Sequence, residues 1–149
     1  MPIKPIPEGY HTVTPYLVVE GVPKLIDFMK QAFGAEEIFR SAMPDGSIMH
    51  ADVKIGDSHI MLGEACDQHK PMPSMIHLYV TDADVVYKQA LAAGGTSVME
   101  ISDQFYGDRS GGVKDSSGNL WWISTHKEDL SADEIAKRSK AAMKQQQGA

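Results

Sequence analysis

Laid on itself with an offset of 61 residues, the chain places Val19 on Val80, Leu25 on Val86, Gly34 on Gly95, Asp57 on Gly118, and Ile60-Met61 on Trp121-Trp122. A weak repeat of that length constrains the fold more than any single motif. A unit of about 60 residues that recurs is a supersecondary module, too small to bury a sufficient core without its twin. In the first copy, residues 13–19 read as a strand. Val22, Leu25, Ile26, Met29 and Phe33 then recur at helical spacing between Pro23 near the start and Gly34 at the end. Strand-like runs follow over 35–42, 48–55 and 58–64, divided by Pro44-Asp45-Gly46 and Gly56-Asp57. The second copy supplies a strand over 75–81, a helix over 83–93 opened by Asp82 or Asp84, and strands over 96–101, 109–115 and 119–126. The pattern is βαβββ twice. After it, Ser131-Ala132-Asp133-Glu134 is a capping box that starts a last helix over 132–145, a solvated appendage with few apolar residues.

The expected organisation is a module over 12–66, a second over 74–126 and a helical tail over 127–149. Together these make an α+β fold of curled mixed sheets forming a cup, with a C-terminal helix. Composition excludes several partners. Fourteen Lys and Arg against 20 Asp and Glu give a net charge of −6, with no basic face to neutralise nucleic-acid phosphates or an anionic membrane. The one cysteine, Cys66, permits neither an intrachain disulfide nor a cysteine-built zinc site. No run of 18 apolar residues and no apolar leader are visible, and the expected location is the cytoplasm.

Alternation splits each strand into two faces. One is apolar: Met49, Ala51, Val53 and Ile55; Ile60 and Leu62; Ile76, Leu78 and Val80; Trp121 and Ile123. The other mixes His50, Asp52 and Lys54; His59 and Met61; Met75, His77 and Tyr79; Trp122, Ser124 and His126. Apolar walls with a few polar groups are the usual composition of a small-molecule pocket.

These residues bring a family into view. The helix VPKLIDFMKQAFGAEE, the strand IMHADVKIGDSHIMLGEA and the ending FYGDRSGGVKDSSGNLWWI resemble the vicinal oxygen chelate superfamily of glyoxalases, bleomycin-resistance proteins and extradiol dioxygenases, especially its PhnB-type subgroup. The resemblance spans about residues 12–126. It implies a cup of two βαβββ modules, usually completed in a homodimer, and in the metalloenzymes four ligands from the first and fourth strands of each module. Carried onto this chain, those positions are Thr14, Met61, Met75 and Trp122, none of them His, Glu or Asp. Such side chains are poor ligands for nickel, zinc or iron(II).

The expectation is therefore a metal-free cup with no cofactor. A small-molecule ligand would be bound by those four residues together with Tyr16, His50, His59, His77, Tyr106 and Arg109. Arg109, in the glycine-rich stretch 104–112, has a planar fork suited to an anionic group at the rim, unless Asp103, Asp108 or Asp115 takes it. Trp122 would form the floor. The alternative is a metal-dependent lyase, isomerase or dioxygenase whose ligands come from histidines in a shifted register and from Glu64. A catalytic residue is not assigned. Cys66 reads as an incidental thiol.

Overall fold

The computed structural model describes residues 2–147; Met1 and the last two residues of the 127–149 tail lie outside them. The element order is β1 (Tyr16–Val19), α1 (Val22–Phe33), β2 (Glu36–Ala42), β3 (Ile48–Ile55), β4 (Ser58–Glu64), β5 (Met75–Tyr79), α2 (Ala83–Ala92), β6 (Thr96–Asp103), β7 (Asp108–Lys114), β8 (Leu120–His126) and α3 (Ala132–Gln147). Two four-stranded mixed sheets result, ordered β1-β4-β3-β2 and β5-β8-β7-β6. In each, the first strand runs parallel to the fourth and the other pairs are antiparallel. The registers bear out the repeat: Tyr16 pairs with Met61, and His77, 61 residues after Tyr16, pairs with Trp122, 61 residues after Met61. Neither sheet closes into a barrel. Among the described residues no helix is long and apolar enough to cross a membrane.

Local chemistry fixes the helix ends. Pro23 lies in the first turn of α1, Gly34 adopts the left-handed conformation that ends it, and Glu64 of β4 accepts the Gly21 N–H at 2.7 Å. Asp82 caps α2 by accepting from Val85 N, and Ser131 Oγ accepts from Glu134 N at 3.1 Å, one half of the expected capping box. Strand β1 begins three residues later than expected. Pro15 has no N–H for a ladder, and only its carbonyl is used, by Met61 N.

The core lies between the sheets and the paired helices. Leu25, Ile26 and Met29 of α1 bury against Ala51, Val53, Ile60 and Leu62. The modules meet where Phe33, at the end of α1, packs on Trp121 with ring centroids 4.8 Å apart. Trp121 is completely buried, and its indole N–H donates to Asp115 at 2.8 Å. The Asp115 carboxylate also accepts from Ser117 N, Asn119 N and the Asn119 side chain, which builds the turn before β8.

One face assignment is corrected. Ser41 pairs with His50 but Ala42 with Ile48, so Met49 is the extra residue of a β-bulge. Ile48 takes the core place expected for Met49, and Met49 turns outward to the concave face.

Two outcomes are expected. Asp115→Ala strands the buried Trp121 and Asn119 donors and should cost about 2–4 kcal/mol in denaturant unfolding. A chain ending at Leu130 should keep its Tm within about 2 °C, because no described α3 side chain is buried.

Candidate functional site

The face of each sheet turned away from the helices is concave, and much of it is uncovered within one chain. On the first sheet Tyr16 is 47% exposed, and its hydroxyl lies 3.3 Å from His50 Nδ1, the rings stacked with centroids 5.7 Å apart. Phe39 flanks His50 at 6.1 Å. Gly63 beneath has no room for a side chain, since a Cβ there would stand 2.6 Å from the Tyr16 hydroxyl. Beside Tyr16, Val18, Met43, Met49, Gly63 and Cys66 line a largely apolar groove of about 570 Å³. Met61 lies half-buried next to Tyr16.

The second sheet repeats this plan with other groups. Trp122 lies on Gly112, where a Cβ would meet its ring at 2.5 Å, and it is half-buried. His77 is its neighbour on β5 and leans on Tyr79 at 4.9 Å. Met75, 61% exposed, stands at the start of β5, and Ser110 and Ser124 bond to each other at 2.7 Å deeper in the face.

Each concave face also carries a His–Asp–Tyr cluster. On the first, His59 Nδ1 bonds Asp52 Oδ1 at 2.9 Å, Tyr10 donates to the other Asp52 oxygen, and the Tyr10 ring stacks on His59 at 3.9 Å. On the second, Asp108 accepts from Tyr79 at 2.8 Å and bonds His126 Nδ1 at 2.8 Å, while Asp129 bonds His126 Nε2 at 2.7 Å. Burial works against Asp108 ionising, but the bonds from His126 and Tyr79 outweigh it and hold the carboxyl below the usual range. The bonds to Asp108 and then Asp129 raise His126, and the bond to Asp108 raises the Tyr79 phenol.

Of the expected binding residues, the structure brings Tyr16, His50 and Met61 together on one face and Met75, His77 and Trp122 on the other. His59 shares the first face but is buried under Tyr10. Thr14 precedes β1 and borders the crevice between the modules. Tyr106 sits in the turn before β7 with its ring edge-on to Phe105 and lines neither that crevice nor the groove.

Arg109 does not stand at the rim of the cup. It lies on β7, as the strand over 109–115 anticipated, at a position alternating with Asp108 and Ser110, so it points to the helix side. There its fork holds Asp84 of α2 through Nε and Nη2 at 2.7 and 3.0 Å, and Asp103 through Nη1 at 3.2 Å. The guanidinium keeps Asp84 ionised well below the usual carboxylate range. It is a clamp between α2 and the sheet. Glu64, a ligand in the alternative metal reading, is committed to the Gly21 N–H.

Sequence reasoning missed both His–Asp pairs. A signal existed: with Gly56-Asp57 as the turn, Ile55 pairs with Ser58 and Asp52 with Met61, which sets Asp52 diagonal to His59.

The comparisons bear on this geometry. The family model for the glyoxalase/bleomycin resistance protein/dioxygenase superfamily matches residues 10–123. A protein of Mycobacterium bovis is 37% identical over 134 residues, covering 83% of this chain and 88% of that one. The chain belongs to the glyoxalase/bleomycin resistance protein/dioxygenase superfamily. Solved structures share the fold. TioX from Micromonospora sp. ML1 has a TM-score of 0.63 at 23% identity, covering 81% of this chain and all of that one. The PhnB protein of Bacillus cereus has a TM-score of 0.60 at 18% identity, covering 77% of this chain and 99% of that one.

The metal of the family's metalloenzymes does not fit these residues. At the first-strand and fourth-strand positions stand Thr14 or Tyr16, Met61, Met75 or His77, and Trp122, which offer at most one imidazole. Among the described residues no three His, Cys, Asp or Glu side chains converge as donors.

The His126 cluster makes stability depend on pH. A raised folded-state pKa gives a contribution that is complete below the unfolded value, 6.5, and is lost as pH rises through the folded value. Tm should therefore fall as pH rises above about 6.5, and His126→Gln should flatten that fall. Melts of both proteins across pH 6–9 check it. If the two curves run parallel, His126 is not the linked group.

Proposed function

We propose that the chain is a homodimeric binding protein that holds a small organic molecule between concave sheet faces without a metal. One observation carries this reading: at the positions where the resemblance puts metal ligands this chain has Thr14, Met61, Met75 and Trp122, none a carboxylate or imidazole, with Tyr16 and Met49 also on the open faces. Thioether and aromatic surfaces adapt to apolar ligands of varied shape. The open faces support the dimer. Met75 and Tyr79 are more than 60% exposed on the open face of β5, which a second copy laid face to face would cover. The acidic charge speaks against nucleic acid or a membrane surface as partner, and the lone thiol suits the cytoplasm.

The two tryptophans supply the test. Trp121 is completely buried and Trp122 faces the cup, so a planar aromatic compound bound there should quench the fluorescence of the Trp121→Phe protein and leave that of Trp122→Phe unchanged. Trp122→Ala should weaken binding at least tenfold, about 1.4 kcal/mol. Protein purified without added metal should contain no stoichiometric nickel, zinc, manganese or iron, and should sediment as a dimer at tens of micromolar. A tightly held metal whose removal by chelator abolishes binding would overturn the proposal.

A further inference from the structure

The open face of the first sheet is closed at one end by a residue from outside the sheet. Along β4, Gly63, Met61 and His59 follow one another on the concave side, and on β3 Asp52 stands opposite Met61. Tyr10 lies over the His59 end, its ring stacked on the imidazole at 3.9 Å and its hydroxyl donating to Asp52. Beneath it the side chains of His59 and Asp52 are only 7% and 4% exposed, and both Asp52 oxygens are engaged, one by His59 and one by Tyr10. Away from this end the face stays open. Tyr16 is 47% exposed over Gly63, and the apolar groove continues past Met49 to the exposed Cys66.

Tyr10 is held in this place by its own turn. Residues 2–9 before it are exposed, so nothing else ties that segment to the sheet by burial. The turn Pro7–Tyr10 closes with a bond of 3.0 Å from Tyr10 N to Pro7 O, and its third residue, Gly9, has the positive φ of +83° that favours glycine. A Cβ on Gly9 would stand 3.5 Å from His59 Nε2, so the turn rests against the imidazole that the Tyr10 ring covers. Turn, stack and hydrogen bond together set the ring on the face. The repeat does not supply a counterpart, since 61 residues after Tyr10 stands Pro71, exposed in the linker.

Resting on the reading of the concave faces as a ligand site, we propose that Tyr10 is a specificity-determining residue of that site. It ends the first face with an aromatic wall and withholds the Asp52–His59 pair from the ligand. The face then takes an apolar aromatic molecule that abuts Tyr10 beside Met61 and runs along the groove toward Cys66, with no hydrogen-bonding group at its Tyr10 end. At about 3.3 Å per residue, Gly63 and His59 lie roughly 13 Å apart, so a molecule seated over Gly63 and Met61 reaches Tyr10 before it reaches His59. Discrimination against a hydroxyl comes from hiding its partners, because a buried polar group that finds no partner loses its hydrogen bond to water without replacement.

The probes are biphenyl and 4-hydroxybiphenyl, of one shape and differing by a hydroxyl. In the unaltered protein both should slow alkylation of Cys66 by iodoacetamide to the same degree, and NMR of the biphenyl complex should show contacts from the probe to the Tyr10 ring and the Met61 methyl. Tyr10→Ala uncovers the carboxylate and the imidazole, and should bind 4-hydroxybiphenyl about tenfold more tightly than biphenyl. Tyr10→Phe keeps the wall and should treat the two probes alike, as the unaltered protein does. The contact with Tyr10 in the unaltered protein needs no variant, so it decides the matter if Tyr10→Ala does not fold. The inference is overturned if the probe shields Cys66 without touching Tyr10, if Tyr10→Ala binds both probes equally, or if Tyr10→Phe acquires the same preference as Tyr10→Ala. Binding seen only at Trp122 also overturns it and leaves the proposed function standing, whereas a probe that neither shields Cys66 nor perturbs Trp122 counts against both.

Discussion

The structure depends on the contact between Trp121 and Phe33. An indole completely removed from water must place its N–H, and Asp115 takes it from a turn that the same carboxylate organises. With the ring so fixed, Phe33 at the end of α1 has one surface to pack on, and the two modules are locked through helices rather than through a shared sheet. β1 and β5 stay in separate sheets, and Phe33 belongs both to the joint and to the wall of a crevice bounded by the approach to β1, the β3–β4 turn and β5.

The repeated plan shows which parts of a module are scaffold and which are free. Parallel closure of the first strand on the fourth recurs in register, and a glycine lies under the aromatic ring of each concave face, Gly63 under Tyr16 and Gly112 under Trp122. The side chains above that scaffold differ. Tyr16 answers to His77 and Met61 to Trp122, so each module presents its own chemistry on a common backbone. Fold membership therefore fixes which positions face the open side of each sheet, and the side chains at those positions set its chemistry.

Much of the fold was legible because periodicity survives divergence. The strands 48–55 and 58–64 were delimited by Gly56-Asp57 alone, and Trp121 was placed inward by alternation with Trp122. The failures have physical causes. Met49 was placed in the core because a bulge breaks alternation without leaving a mark in the sequence. Arg109 was read as a rim group unless an aspartate took it; alternation with Asp108 and Ser110 puts it on the helix side, where Asp103, one of the aspartates foreseen, and Asp84 in the first turn of α2, which was not, hold it. Tyr10 lies in a proline-rich segment with no periodicity, so nothing local foretold that it would cover His59. A long-range contact of a loop is invisible to pattern reading.

The two His–Asp pairs put the same groups to different uses, and the difference lies in the second nitrogen. His126 has a carboxylate at each ring nitrogen, so both bonds form only when both nitrogens carry hydrogen. That arrangement selects the imidazolium and ties β8 to the segment leading into α3. His59 has a carboxylate at Nδ1 only, with a tyrosine that both donates to that carboxylate and stacks on the imidazole. One histidine is a fastener held at both ring nitrogens, half in solvent. The other is buried, bonded at one nitrogen and covered by the Tyr10 ring, so it ties the segment before β1 to strands β3 and β4.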